Sequence, residues 1–361
     1  MKLINFDYDS SPKLEPSFEI EDFEELRKKC VDMNVCFFLG AGFSKSWDSA
    51  YPLSDELFAI SAQEAKLYKN DYIFFEFFDS LGLKWAEESE SNNLKAQVFR
   101  TFKYTIDVYR RYPSLLPSHL DKYSLDIIEC DIKKYIKNKF FKKVGEKEST
   151  LKVSGKISKE KKAIINFFDS LSDASNISFI TTNYDLVADR ILANHKLKKT
   201  ITRGFPVRID NKLMCPKSDG FGLLKINGGF EVVAENSNFT IDYSSVLKES
   251  TIPNIILPSN EQNYDDKYFK TSFIKSSNQL RNANVLIFIG YSFPDEDNIV
   301  RFLLQSFLDG NNKNKETIII SGSGDSALKC HERACGLFKE LKDKSALLYL
   351  NDSFINFCKS I

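Results

Sequence analysis

Val35-Cys36-Phe37-Phe38-Leu39-Gly40-Ala41-Gly42-Phe43-Ser44 is the stretch that decides the fold. An unbroken apolar run of strand length that stops at a glycine reads as a strand buried on both faces, and such strands belong to parallel sheets sandwiched between helices. Working outward, ISFI (177–180), GLLKI (222–226), NIIL (254–257), VLIFIGY (285–291), ETIII (316–320) and ALLYL (346–350) have the same character. Helical spacing fills 185–193, 266–280, 295–308, 327–341 and 353–360, and an amphipathic acidic-to-basic helix at 15–30 precedes the first strand. Short apolar strands alternating with helices predict an α/β fold, a doubly wound, Rossmann-like parallel sheet. Residues 59–164 break the alternation with long helical stretches, aromatic at first and Lys-rich later. They predict a large helical insertion after the first strand, inside a single domain spanning 1–361, with no internal repeat.

Composition bounds the function classes. A length of 361 residues fits two domains or one large α/β domain with an insertion. Lys plus Arg and Asp plus Glu are both 50, so the net charge is zero, which argues against a protein that coats nucleic acid. The lysines of 131–162 have little aromatic interleaving to suggest base stacking and read as a solvated helix-and-loop surface. A nucleic-acid-associated subunit built on them would bind DNA in a salt-dependent way. The N-terminus has no signal-peptide core and no apolar run is long enough to span a bilayer, so a cytoplasmic, non-membrane protein is expected. The seven cysteines, Cys30, Cys36, Cys130, Cys215, Cys330, Cys335 and Cys358, form no CxxC pair. They are expected to be free thiols, with no metal site.

Three motifs sit directly after predicted strands. Gly40-Ala41-Gly42-Phe43-Ser44 is either a structural turn or a loop whose backbone N–H groups approach a phosphate at a helix N-terminus. It lacks the third glycine of the dehydrogenase fingerprint. Thr181-Thr182-Asn183-Tyr184-Asp185 is either a helix cap or a ribose-facing edge, because strand C-termini of parallel sheets face the ligand crevice. Gly290-Tyr291-Ser292-Phe293-Pro294-Asp295-Glu296-Asp297 is either a turn with an acidic N-cap or a third part of the same crevice. Gly42, Asn183 and Ser292 are therefore expected to line one pocket.

In this order, with a helical block between the first two, the motifs resemble the sirtuin-like NAD-binding family, and more closely its bacterial branch of antiphage-defence NAD hydrolases. The resemblance runs from about residue 33 to about 323 and includes the apolar IILPS (255–259). It implies that Gly40, Ala41, Gly42, Phe43 and Ser44 form the dinucleotide loop. Thr182, Asn183 and Asp185 would lie at the nicotinamide ribose, with Asn183 the catalytic asparagine. Gly290 and Ser292 would lie near the adenosine half, with Ser321, Gly322 and Ser323 closing over adenine. Two departures stand out. Where the family has Lys-Leu-His-Gly-Ser, this chain has Lys225-Ile226-Asn227-Gly228-Gly229, so Asn227 replaces the family's general base. The histidines present, His119, His195 and His331, lie in no active-site motif. The zinc ribbon of protein-deacetylating sirtuins is also missing, which speaks against deacetylation.

What the resemblance implies is an NAD glycohydrolase that uses NAD as substrate, without a metal, and yields nicotinamide and ADP-ribose. It would act as a conditionally activated antiphage effector that depletes cellular NAD, with Asn183, Asn227 and Asp185 carrying the chemistry. Asn cannot take a proton near neutral pH, so turnover is expected to be slow. The alternative is a catalytically weak subunit that binds NAD or ADP-ribose and regulates a partner. With the chain ending about ten residues after ALLYL, control is expected from homo-oligomerisation, a separate sensor protein, or both.

Overall fold

The computed structural model describes residues 20–118, 120–151, 157–194, 201–209, 212–214, 221–235, 238–259, 261–294, 297–310, 315–320 and 322–361. His119, His195, Cys215, Ser321, Asp295 and Glu296 lie outside them, as do Lys152 and Lys156 of the Lys-rich stretch.

The strands are β1 (Asn34–Leu39), β2 (Asn176–Thr181), β3 (Ile201–Thr202), β4 (Val207–Ile209), β5 (Lys212–Met214), β6 (Phe221–Lys225), β7 (Gly228–Glu235), β8 (Asn238–Ile241), β9 (Pro253–Ile255), β10 (Val285–Ile289), β11 (Glu316–Ile320) and β12 (Leu347–Tyr349). Seven of them form a wholly parallel sheet in the order β12-β11-β10-β1-β2-β6-β3. The period-2 alternation of side chains assigns each face its own core. Val35, Phe37, Val285, Ile287 and Ile318 point into one apolar cluster, while Cys36, Phe38, Leu286, Phe288 and Ile319 point into the other. This two-faced burial is why the central strands are continuously apolar.

The helices are α1 (Phe23–Cys30), α2 (Ala41–Trp47), α3 (Ser54–Leu57), α4 (Ala62–Tyr68), α5 (Phe74–Ser80), α6 (Asn92–Arg111), α7 (Lys122–Val144), α8 (Lys159–Ser172), α9 (Val187–Ala193), α10 (Lys267–Asn282), α11 (Asn298–Gln305), α12 (Asp325–Leu337), α13 (Lys339–Asp343) and α14 (Phe354–Lys359). Helices α2 to α8 all fall between β1 and β2, so the large helical block sits where the sequence places it. Its aromatics, such as Phe74, Phe78, Phe99 and Phe102, join the first core, with Trp85 stacked on Phe78. Residues of α10 to α13 cover the other face.

Three features differ from the sequence reading. NIIL contributes to β9, which belongs with β5, β4, β8 and β7 to a separate five-stranded sheet rather than to the main one. The single helix expected over 327–341 is broken at Phe338 (φ −116°, ψ 50°), whose ring packs against Phe288 and Phe307. Several lysines of 131–162 are structural ties rather than a solvated face. Lys137 is buried and donates to the carbonyls of Lys248 (2.9 Å) and Thr251 (2.6 Å), while Lys139 pairs with Glu64 and Lys161 with Asp48.

Strand register positions the site. Leu39 is level with both Thr181 and Ile289, and Thr181 with Lys225. The segments that follow β10, β1, β2 and β6 therefore leave the sheet side by side at its carboxyl edge. The chain also reverses its winding direction about β1, which is the switch point where open α/β sheets form a crevice.

Candidate functional site

A cavity of about 720 Å³ opens at that carboxyl edge. Of the residues singled out from sequence, Ala41, Gly42, Thr182, Asn183, Asp185, Asn227, Gly290 and Ser292 line it. Gly40, Phe43 and Ser44 stand behind the wall. The Gly40 N–H donates to the Ile289 carbonyl (3.0 Å) and the Gly42 N–H to the Gly290 carbonyl (3.0 Å). A Cβ on Gly290 (φ +63°) would lie 2.1 Å from the Phe43 nitrogen, and one on Gly40 would lie 2.5 Å from the Gly290 oxygen. The glycines thus let two loops touch backbone to backbone, a requirement that comes from the protein itself and not only from a ligand. Phe43 turns its ring into the core against Phe168 and Phe354.

Asn183 is held in one orientation. Its Nδ2 donates to the Gly40 carbonyl (2.8 Å) and to Ser44 Oγ (2.9 Å). A carbonyl only accepts, so the amide nitrogen must face it and Oδ1 must face away. Among the described residues Oδ1 has no protein partner, which leaves it as an acceptor on the cavity wall. Ser44 is buried, and its hydroxyl favours the ionised form of the Asp185 carboxyl. Asp185 Oδ1 also accepts from the Val187 N–H (2.9 Å), so it caps α9 as well as facing the cavity. Burial raises the Asp185 carboxyl above its ordinary range, and nearby Asp189 adds to this. The Val187 N–H, the Ser44 hydroxyl and Lys225 pull the other way.

Asn227 is tied down through both its backbone and its side chain. Gly228 (φ +78°) turns the chain between β6 and β7, and the Asn227 carbonyl accepts from the Ile256 N–H (3.0 Å). The Tyr264 hydroxyl donates to Asn227 Oδ1 at 2.8 Å. Burial keeps that phenol protonated by raising its pKa, so the bond is stable across the physiological range. The amide therefore offers the cavity a donor, Nδ2. Asp297 accepts from the Tyr291 hydroxyl (2.9 Å), and Arg333 donates to the Ser292 carbonyl (2.8 Å).

Beneath Asp185 lies a charge tetrad. Lys225 Nζ is 2.8 Å from both Asp189 Oδ2 and Glu231 Oε1, and Arg203 Nη2 is 2.9 Å from Asp189 Oδ1 and 2.7 Å from Glu231 Oε1. All four are fully buried. Lys225 also donates to the Asp185 carbonyl (2.7 Å), which ties β6 to the loop after β2. Burial alone would raise Asp189, but Lys225 and Arg203 hold it below the usual carboxylate range.

Sequence reasoning missed the far wall. It comes from the helical block, with Asp55, Leu57 and Phe58 at α3 and Asn93, Gln97, Arg100 and Thr101 on α6. Helical periodicity shows which side of α6 packs on its own core, and carries no mark of which element the other side meets. Of the histidines, only His331 is described, buried against Tyr349 and outside the cavity lining. Burial pushes the thiols of Cys30 and Cys36 up to about 12, so both are inert. Among the described residues, no group of three or more His, Cys, Asp or Glu side chains is arranged to hold a metal ion, and no helix is long and apolar enough to cross a membrane.

Residues 177–345 match the family model described as the SIR2-like domain. No curated protein matches the chain in sequence. Similar solved structures include one on sirtuin substrate affinity, with 12% identity, 93% of this chain and 95% of that chain covered, and a TM-score of 0.42. Another, on the mechanism and regulation of Sir2 enzymes, has 10% identity, the same coverages and a TM-score of 0.39. A mutant Sir2 homologue in complex with ADP-ribose has 12% identity, 89% and 98% coverage, and a TM-score of 0.37.

Proposed function

We propose, taking as premise the SIR2-like segment over 177–345, that this protein hydrolyses the glycosidic bond between nicotinamide and ribose of NAD. The observation that carries the reading is the arrival of Asn183 and Asn227 on one cavity, each amide locked by protein partners and each keeping one polar atom for a ligand. The cavity volume lies within the range of about 300–1,000 Å³ for ligand clefts. Thr182, Gly290, Ser292 and the Gly40–Ser44 loop are assigned to the dinucleotide, and no metal is invoked.

The C–N bond to nicotinamide breaks with its electron pair going to the pyridine nitrogen, while a water oxygen bonds to the ribose carbon and its proton is released to solvent. The products are neutral nicotinamide and ADP-ribose. Asn183 Oδ1 accepts from the water or a ribose hydroxyl and so orients what reacts, and Asn227 Nδ2 donates to a ribose hydroxyl. Such positioning acts without proton transfer to either amide. Asp185 is a positioning residue that holds Ser44, which holds Asn183. In this reading the whole of 1–361 is one unit acting in the cytoplasm as a conditional antiphage effector, silenced or triggered through self-assembly or a sensor partner.

Incubating the purified protein with NAD and following nicotinamide by chromatography tests the reading. Nicotinamide and ADP-ribose should appear in equal amounts. NAD that binds but survives, with or without candidate partners, would make the protein a binding subunit instead. A pH profile of kcat/KM adds a second check. The ionised Asp185 carboxyl is the stronger acceptor for the Val187 N–H, and burial raises its pKa. The acid limb should therefore fall above the ordinary aspartate value of about 3.9, and Asp185→Asn should remove it. An unchanged limb in that variant would assign the titration elsewhere.

A further inference from the structure

Asn227 meets the cavity through one end of its amide, and a residue behind the cavity wall decides which end. Asn227 Nδ2 has no protein partner among the described residues and is not sealed from solvent, whereas Oδ1 accepts from the Tyr264 hydroxyl at 2.8 Å. A phenol carries one proton to give. Its other acceptor, Gln262 Oε1, lies at 3.3 Å, beyond the range of about 2.5–3.0 Å for an O–H···O bond, so the proton goes to Asn227. Tyr264 is not itself among the residues lining the cavity. Its ring packs against Phe269 (6.3 Å between centroids) and Phe273 (5.6 Å), one turn apart on α10, so the second core holds the hydroxyl in place without a ligand. The Asn227 backbone is pinned separately by the Ile256 N–H. Only the side-chain amide is left to turn over, and turning it would exchange the 2.8 Å bond for the weaker one to Gln262.

We propose that Tyr264 is a positioning residue: its hydroxyl fixes the Asn227 amide so that position 227 meets the ligand only as a hydrogen-bond donor, and the cavity thereby selects a ligand with a ribose hydroxyl at that point. This rests on the NAD reading, in which that ribose is the one carrying nicotinamide and remains as the terminal ribose of ADP-ribose. Hydroxyls both accept and donate, so a locked donor at 227 and a locked acceptor at 183 suit their two roles. Tyr264 acts through Asn227 and touches no ligand.

Calorimetric titration of ADP-ribose, and of ADP, which lacks the terminal ribose, tests the assignment in the wild type, Tyr264→Phe, Asn227→Ala and the double variant. Tyr264→Phe keeps the ring and its packing. It should weaken ADP-ribose by about 3–10-fold while ADP stays within about twofold of wild type. In the Asn227→Ala background the same change should cost no more than about twofold, because the group it positions is gone. Unchanged ADP-ribose affinity in Tyr264→Phe overturns the proposal, as does an equal loss for both ligands or the same loss in both backgrounds. A wild type that shows the expected pattern but releases no nicotinamide from NAD overturns the hydrolysis reading and leaves this one standing. A wild type that binds neither ligand overturns both.

Discussion

Replacing Asn183 with alanine lowers nicotinamide release by about 10²–10³-fold, the scale set by removing one preorganised polar contact to a transition state. The same change should cost little stability. It removes two part-buried hydrogen bonds, to Gly40 and Ser44, worth about 1 kcal/mol each. The dissociation between the two effects is the signature. If activity fell only as far as folded protein was lost, Asn183 would be a structural tie between two loops and nothing more. Urea unfolding and initial rates on the same preparation separate the outcomes. Asn183→Ala protein that still binds ADP-ribose while failing to turn over NAD would place the loss in the chemical step.

The second large effect concerns stability. Arg203→Met removes one cation from a fully buried set of two cations and two carboxylates and leaves a net negative charge out of reach of solvent. Breaking such a set costs about 3–5 kcal/mol at neutral pH. The sign with pH follows from Asp189, whose folded pKa is depressed by Lys225 and Arg203. Its contribution is present above the unfolded value of about 3.9 and is lost as pH falls through the folded value. The gap between wild type and variant should therefore narrow on acidification. Adding Glu231→Gln to Arg203→Met restores neutrality and should recover part of the loss. Denaturant midpoints at pH 7 and at a pH well below about 3.9 decide the matter, and a variant within about 1 kcal/mol of wild type at pH 7 would show that the tetrad is dispensable. Among the described residues, Arg203 Nε and Nη1 and Glu231 Oε2 have no hydrogen-bond partner.

The sheet was legible because its central strands are apolar on both faces, a pattern that surface strands and amphipathic helices do not share. Three strand-end motifs then fell at the same edge once the strands were parallel. Asn227 was singled out only through the family resemblance of Lys225-Ile226-Asn227-Gly228-Gly229, and its partner Tyr264 was not, because nothing local links a turn to a tyrosine some forty positions later. Arg100 was invisible for a related reason. Its stripe on α6 looks like any solvated helix face until the block folds back over the crevice. The second sheet escaped notice because β4, β5, β8 and β9 are three or four residues long, too short for alternation to declare itself. Lys137 misled in the opposite direction, since composition marks lysine as surface and only tertiary carbonyls explain its burial.

The glycine seam between the loops after β1 and β10 has a kinematic consequence. With backbone atoms in direct contact at Gly40, Gly42 and Gly290, those loops cannot slide or part without breaking their mutual hydrogen bonds, and they behave as a fixed anvil. The opposing wall of the cavity is α3 and α6. That wall is seated on the first core through Leu57, Phe58, Phe99 and Phe102. A ligand therefore meets a rigid backbone seam on one side and a surface of side chains on the other.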